Sequence, residues 1–146
     1  MNSIPCDILV VEDNPADAEL MLRALRRANV ANPVTVVEDG AEALDYLFGT
    51  GAHVGRPNGR TPRVVLLDLK LPKLSGLEVL ERIRADERTA RVPVVVVTSS
   101  REEPDVARSY ELGANSYVVK PVEFEAFADA MVQVGMYWVL LNEPPD

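Results

Sequence analysis

The sequence predicts an α/β fold in which a five-stranded parallel sheet is doubly wound, with helices on both faces. Two observations predict it. Short runs of β-branched and aliphatic residues recur near 7–11, 33–37, 64–68, 93–97 and 116–119, and helical patterns stand between them near 15–30, 39–50, 76–86 and 102–112, with a last one at 123–141. The central strand runs are also continuously apolar, as in Val64-Val65-Leu66-Leu67 and Val94-Val95-Val96-Val97, rather than alternating with polar residues. Continuous runs of this length suit strands covered on both faces, and βα alternation suits a parallel sheet joined by right-handed crossovers.

Each element has its own signals. Ile8-Leu9-Val10-Val11 is the first strand and is closed by Glu12 and Asp13. The first helix starts on Asn14 as a capping residue, with Pro15 at its first position and Asp17 in its first turn. Its apolar face is Ala18, Met21, Leu22 and Leu25, at helical spacing. The stretch from Gly49 to Arg63 holds four glycines, two prolines and three arginines, and is predicted to be an exposed excursion before the third strand. Its glycines at 49, 51 and 55 do not make a phosphate loop, because they follow a helix and lack the Lys-Ser/Thr that such loops carry. His53, the single histidine, has no second ligand at metal-binding spacing. The fourth helix is predicted to stop at Gly113.

At 146 residues the chain is read as one domain, 1–146, long enough to bury a substantial core. A formal net charge of −8 argues against nucleic-acid binding, which depends on Lys and Arg. The lone cysteine, Cys6, permits no internal disulfide and is expected to be inert core in a reducing compartment. The first residues show no basic region and no long apolar segment, so a cytoplasmic protein without a signal peptide or membrane span is expected.

Chemistry is expected where the strands end. In open α/β sheets, ligands bind in the crevice beyond the carboxyl ends of the strands. Glu12, Asp13 and Asp68 all close strands and should meet there. Crowded carboxylates repel one another unless a hard cation sits among them, and Mg²⁺ is held by one or two carboxylates together with waters and phosphate oxygens. Thr98 closes the fourth run and Lys120, followed by Pro121, closes the fifth. A hydroxyl donor and a point charge at those ends suit a phosphoryl group, and Asp68 could serve as a nucleophile towards phosphorus.

These motifs resemble a known family. Val10-Val11-Glu12-Asp13-Asn14, Leu66-Leu67-Asp68-Leu69-Lys70-Leu71-Pro72 with Gly76, Val96-Val97-Thr98-Ser99 and Tyr117-Val118-Val119-Lys120-Pro121 are similar, in order and over nearly the whole chain, to the receiver domain of two-component response regulators. The resemblance implies a flavodoxin-like strand order of 2-1-3-4-5. It implies that Asp68 accepts phosphate from a sensor histidine kinase, that Asp13, Asp68 and the Lys70 carbonyl hold Mg²⁺ directly and Glu12 through water, and that Thr98 and Lys120 contact the phosphoryl group. It implies a switch in which Thr98 moves to the phosphoryl group and Tyr117 follows inward, and a cis bond before Pro121. Glu12 departs from the commoner Asp at that position, and no output domain is expected. The Glu-Asp-Asn-Pro-x-Asp start, the long loop and the terminal Met-Tyr-Trp-Val-Leu-Leu most resemble single-domain regulators paired with bacterial phytochrome kinases.

The last helical pattern carries a core stripe through Phe124, Phe127, Met131, Val134, Trp138 and Leu141. Val132, Met136, Val139 and Leu140 lie outside that stripe, and their apolar surplus suggests a homodimer built on this helix. Two other readings stay open. One is an Asp-nucleophile phosphatase, although Lys70 stands where such enzymes carry a second Asp. The other is a receiver-like interaction module that never turns over phosphate.

Overall fold

The computed structural model describes residues 8–27, 33–51, 61–99 and 102–120, together with 123, 125, 126 and 129. The elements run β1 (Ile8–Val11), α1 (Pro15–Arg27), β2 (Val34–Val37), α2 (Gly40–Phe48), β3 (Val64–Leu67), α3 (Gly76–Ala85), β4 (Val94–Thr98), α4 (Glu103–Glu111) and β5 (Ser116–Val119). All strand pairings are parallel, and the order across the sheet is β2-β1-β3-β4-β5. This is the predicted α/β architecture, with the direction of winding reversing at β1.

The period of a strand explains how its apolar run divides. Successive side chains point to opposite faces. Leu9, Val11, Val65, Leu67, Val94 and Val96 therefore fall on one face, where they pack with residues of α2 and α3 such as Ala43, Leu47, Val79, Leu80 and Ile83. Ile8, Val10, Val64, Leu66, Val95, Val97 and Val118 fall on the other, against Met21, Ala24 and Leu25 of α1. Both faces are thus covered, which is why no polar residue interrupts β1, β3 or the body of β4.

Helix starts follow from side-chain caps. Asn14 Oδ1 accepts from the backbone N–H groups of Ala16 at 2.9 Å and Asp17 at 3.1 Å. Asp39 caps α2 by accepting from Glu42 N at 2.7 Å. Ser75 caps α3 in a reciprocal box: its hydroxyl accepts from Glu78 N at 3.2 Å, and the Glu78 carboxylate accepts from Ser75 N at 3.1 Å. Gly49 ends α2 in the left-handed conformation, φ 68°, with its N–H bonded to the Asp45 carbonyl. Its place in the glycine-rich stretch is therefore a helix stop.

At the amino ends of the strands, Arg84 joins three segments. Its guanidinium donates to the carbonyls of Val92 (2.6 Å), Ala90 (3.2 Å) and Gly113 (2.8 and 3.1 Å), and to Asn115 Oδ1 (2.9 Å). Asn115 in turn accepts from Val94 N at 2.9 Å. Partial burial pushes the Arg84 guanidinium below its ordinary pKa.

Helix α4 is attached differently from the others. Its one buried residue is Ser109, whose hydroxyl donates to the Asp105 carbonyl at 2.8 Å, while Tyr110 is 48% exposed. No helix among the described residues is long and apolar enough to cross a membrane. Most of the predicted helix at 123–141 lies outside the described residues, as do Cys6, His53, Pro121 and the four residues expected at a dimer interface: Val132, Met136, Val139 and Leu140.

Candidate functional site

The sheet's hydrogen-bond ladder brings the site residues together. Val11 pairs with Leu67, so Glu12 and Asp68, one residue further along, stand opposite each other. The ladder continues past the strand ends: Glu12 N donates to the Val37 carbonyl at 3.0 Å, Asp68 N to Val11 at 3.1 Å and Lys120 N to Thr98 at 2.8 Å. Backbone pairing therefore fixes where each side chain leaves the sheet. The location, between β1 and β3, is the switch point of the strand order.

One oxygen from each of Glu12, Asp13 and Asp68 lies within 4.8 Å of the others. Glu12 is 2% exposed and Asp68 5%, whereas Asp13 faces solvent. The donor set is all oxygen and all anionic, which fits a hard divalent cation and not a soft one. These residues could hold a metal ion. Lys70 N lies 3.4 Å from Asp68 Oδ1, so the loop that carries the Lys70 carbonyl turns back over the acid.

The Lys120 ammonium closes the cluster. It donates to Glu12 Oε1 at 2.6 Å, Asp17 Oδ2 at 2.9 Å and Asp68 Oδ2 at 3.0 Å. Burial alone would lower its pKa, but its hydrogen bonds to three carboxylates outweigh that and hold it above the ordinary lysine value. Glu12 shifts upward, chiefly because burial disfavours its charge; the bonds from Lys120 and from Asn14 N, at 3.0 Å, pull it partly back. Thr98, the last residue of β4, is fully buried. Tyr117 is half-buried on β5, opposite Val96, and packs against the core on the α2–α3 face.

Two residues gain a role that their sequence context did not give them. Asp17 was an ordinary first-turn acid of α1; the structure adds a direct contact with Lys120. Gly76, one of the family motif residues, is a steric requirement. A Cβ there would stand 2.1 Å from the Asp68 carbonyl oxygen and 2.6 Å from the Leu69 Cα. Gly76 N also donates to the Leu69 carbonyl at 2.8 Å, so α3 begins directly behind the acid. Gly76→Ala is expected to cost about 1–3 kcal/mol of stability. It should also slow any chemistry at Asp68 by on the order of tenfold or more by displacing the carboxylate. Thermal unfolding and a phosphorylation assay on the same preparation check both.

Residues 8–132 match the response regulator receiver domain. The chain belongs to that family. It is similar to the probable methanogenesis regulatory protein FilR2 of Methanothrix harundinacea, at 43% identity over 97% of this chain and 88% of that protein. Among solved structures, it is similar to the bacteriophytochrome response regulator RtBRR, with a TM-score of 0.86 and 54% identity over 97% of this chain and 85% of that one. Two further structures matter for the chemistry. The Mn(2+)-bound form of response regulator Rcp1, a Synechocystis protein, shares 34% identity with a TM-score of 0.76, and covers 97% of this chain and 98% of its own. The phosphorylated cyanobacterial phytochrome response regulator RcpA shares 35% identity with the same TM-score, over 97% of this chain and 98% of its own.

Proposed function

We propose that this receiver domain is a phosphoacceptor switch of a two-component system, modified on Asp68 by a histidine kinase. The observation that carries the proposal is the Lys120 ammonium 3.0 Å from Asp68 Oδ2 at the switch point of the sheet, beside Glu12 and Asp13. In the reaction, a carboxylate oxygen of Asp68 forms a bond to phosphorus as the bond from phosphorus to the donor's histidine nitrogen breaks. That nitrogen leaves and takes up a proton. Lys120 turns one N–H from Asp68 to a phosphoryl oxygen, and the Thr98 hydroxyl donates to another. Mg²⁺ held by Asp13, Asp68 and the Lys70 carbonyl, and by Glu12 through water, would offset the charge gathered on the phosphoryl group.

The output surface is α4 with β5. A helix whose one buried residue is a small serine can move at low cost, and half-buried Tyr117 lies on the strand beside it. The similarity to RtBRR, Rcp1 and RcpA supports a kinase of the bacteriophytochrome class as the donor. The apolar surplus at Val132, Met136, Val139 and Leu140 supports a homodimer; light scattering at micromolar concentration tests it, and a monomer there would remove it.

Incubation with a small phosphodonor, with and without Mg²⁺, followed by intact-mass measurement, tests the function. One added phosphate that requires Mg²⁺ is expected. Sustained release of free phosphate would favour a hydrolase, and no adduct would favour an inert module. Titration of the cation ranks its ligands: Asp13→Ala is expected to weaken Mg²⁺ binding most, since it removes a direct ligand, and Glu12→Ala less, because Glu12 is already engaged by Lys120 and Asn14.

A further inference from the structure

We propose that Asp17 is a positioning residue for phosphorylation: it anchors Lys120 from outside the metal cluster. The ammonium then stays in place when Glu12 and Asp68 turn to a cation and a phosphoryl group. This rests on Asp68 being the phosphoacceptor.

An ammonium has three N–H donors, and here each has a carboxylate: Glu12, Asp17 and Asp68. Two of those partners have other work. Glu12 and Asp68 form, with Asp13, the group whose oxygens converge within 4.8 Å, and a bound cation draws on the same lone pairs that Lys120 uses. Phosphorylation of Asp68 consumes one of its oxygens outright. Asp17 belongs to neither event. Its carboxylate lies 2.9 Å from Nζ, and its side chain is 32% exposed, against 0% for the side chain of Glu12 and 7% for that of Asp68, so its charge is the least desolvated of the three.

Asp17 is also held on a rigid element. It is the third residue of α1, and its backbone N–H is bonded to the Asn14 cap at 3.1 Å. A carboxylate in the first turn of a helix is favoured by the helix dipole. Without Asp17, Lys120 would retain, among the described residues, only the two acids that the chemistry needs. It would then either compete with the cation for them or leave the site.

Asp17→Ala is therefore expected to slow phosphorylation of Asp68 by a small phosphodonor at saturating Mg²⁺ by about tenfold, the loss of one charge-assisted hydrogen bond. Mg²⁺ affinity should change much less, because Asp17 is not a ligand. Asp17→Glu, which restores the charge on a longer arm, should recover part of the rate. The ¹⁵N resonance of the Lys120 ammonium should move in Asp17→Asn, which keeps the shape and removes the charge. A wild-type rate in Asp17→Ala, or a loss of rate matched by an equal loss of Mg²⁺ affinity, overturns the inference. If Asp17→Ala does not fold, Asp17→Asn carries the same rate comparison. If the wild-type protein itself takes up no phosphate, the phosphoacceptor reading fails; the Lys120 resonance then decides the anchor separately, and an unchanged signal in Asp17→Asn overturns it.

Discussion

Asp68→Asn is expected to leave the domain folded and to abolish phosphorylation. The amide keeps the size of the side chain and one carbonyl oxygen to accept from Lys120, so packing around this 5% exposed position is preserved. What it loses is the anionic oxygen that attacks phosphorus, and a neutral amide is a far weaker nucleophile. Stability should hold within about 1 kcal/mol, because three carboxylates surround one ammonium and removing one negative charge relieves part of their mutual repulsion. Cation binding should weaken, since Asp68 is one of the three converging acids. Intact-mass measurement after treatment with a phosphodonor and Mg²⁺ reads the main effect. An adduct forming at the wild-type rate would place the acceptor elsewhere, with Asp13 the next acid to test.

The largest effect on stability is expected at Arg84, far from the chemistry. Arg84→Met keeps most of the aliphatic stem and removes every hydrogen bond to the carbonyls of Ala90, Val92 and Gly113 and to Asn115. Hydrogen bonds from a charged donor are worth roughly 1.5–3 kcal/mol each, and here the carbonyls left behind are partly buried. Some will find water, so a loss of about 3 kcal/mol is expected, lowering the melting temperature by about 6–12 °C. Chemical denaturation measures it directly. A change under about 1 kcal/mol would show that water replaces the guanidinium without penalty. Phosphorylation of the folded fraction should be little altered, because the clamp grips the amino ends of the strands and the acids stand at the opposite ends.

That contrast also marks what the sequence could and could not reveal. Glu12, Asp68, Thr98 and Lys120 were legible because each follows an unbroken apolar run, and a parallel sheet brings the ends of such runs together whatever the loops do. The strand order of the sheet came through the family resemblance and not from the runs themselves, since apolar periodicity says nothing about which strand lies beside which. Arg84 was not legible. It occupies a polar position on an amphipathic helix, where an arginine ordinarily faces solvent, and its partners are backbone carbonyls 6 to 29 residues away, with one Asn side chain 31 away, that no residue type announces. The Ser75 cap was readable and was missed: Ser-x-x-Glu ahead of an apolar run is a known start signal. Asp17 shows a subtler limit. Its helical position was correct, but its contact with Lys120 joins residues 103 apart, through a juxtaposition that only the assembled sheet creates.

The shallow attachment of α4 has a consequence for how such a protein diversifies. Glu103, Pro104, Ala107, Arg108, Tyr110 and Glu111 all face outward, and the helix fully buries only Ser109, with Asp105 and Val106 half-buried. Substitutions at those outward positions leave the packed layers and the acid cluster untouched. Recognition and chemistry can therefore drift at different rates within one chain. Transplanting the outward residues of α4 from another receiver domain should redirect which partner is bound while leaving the melting temperature and the phosphorylation rate where they were.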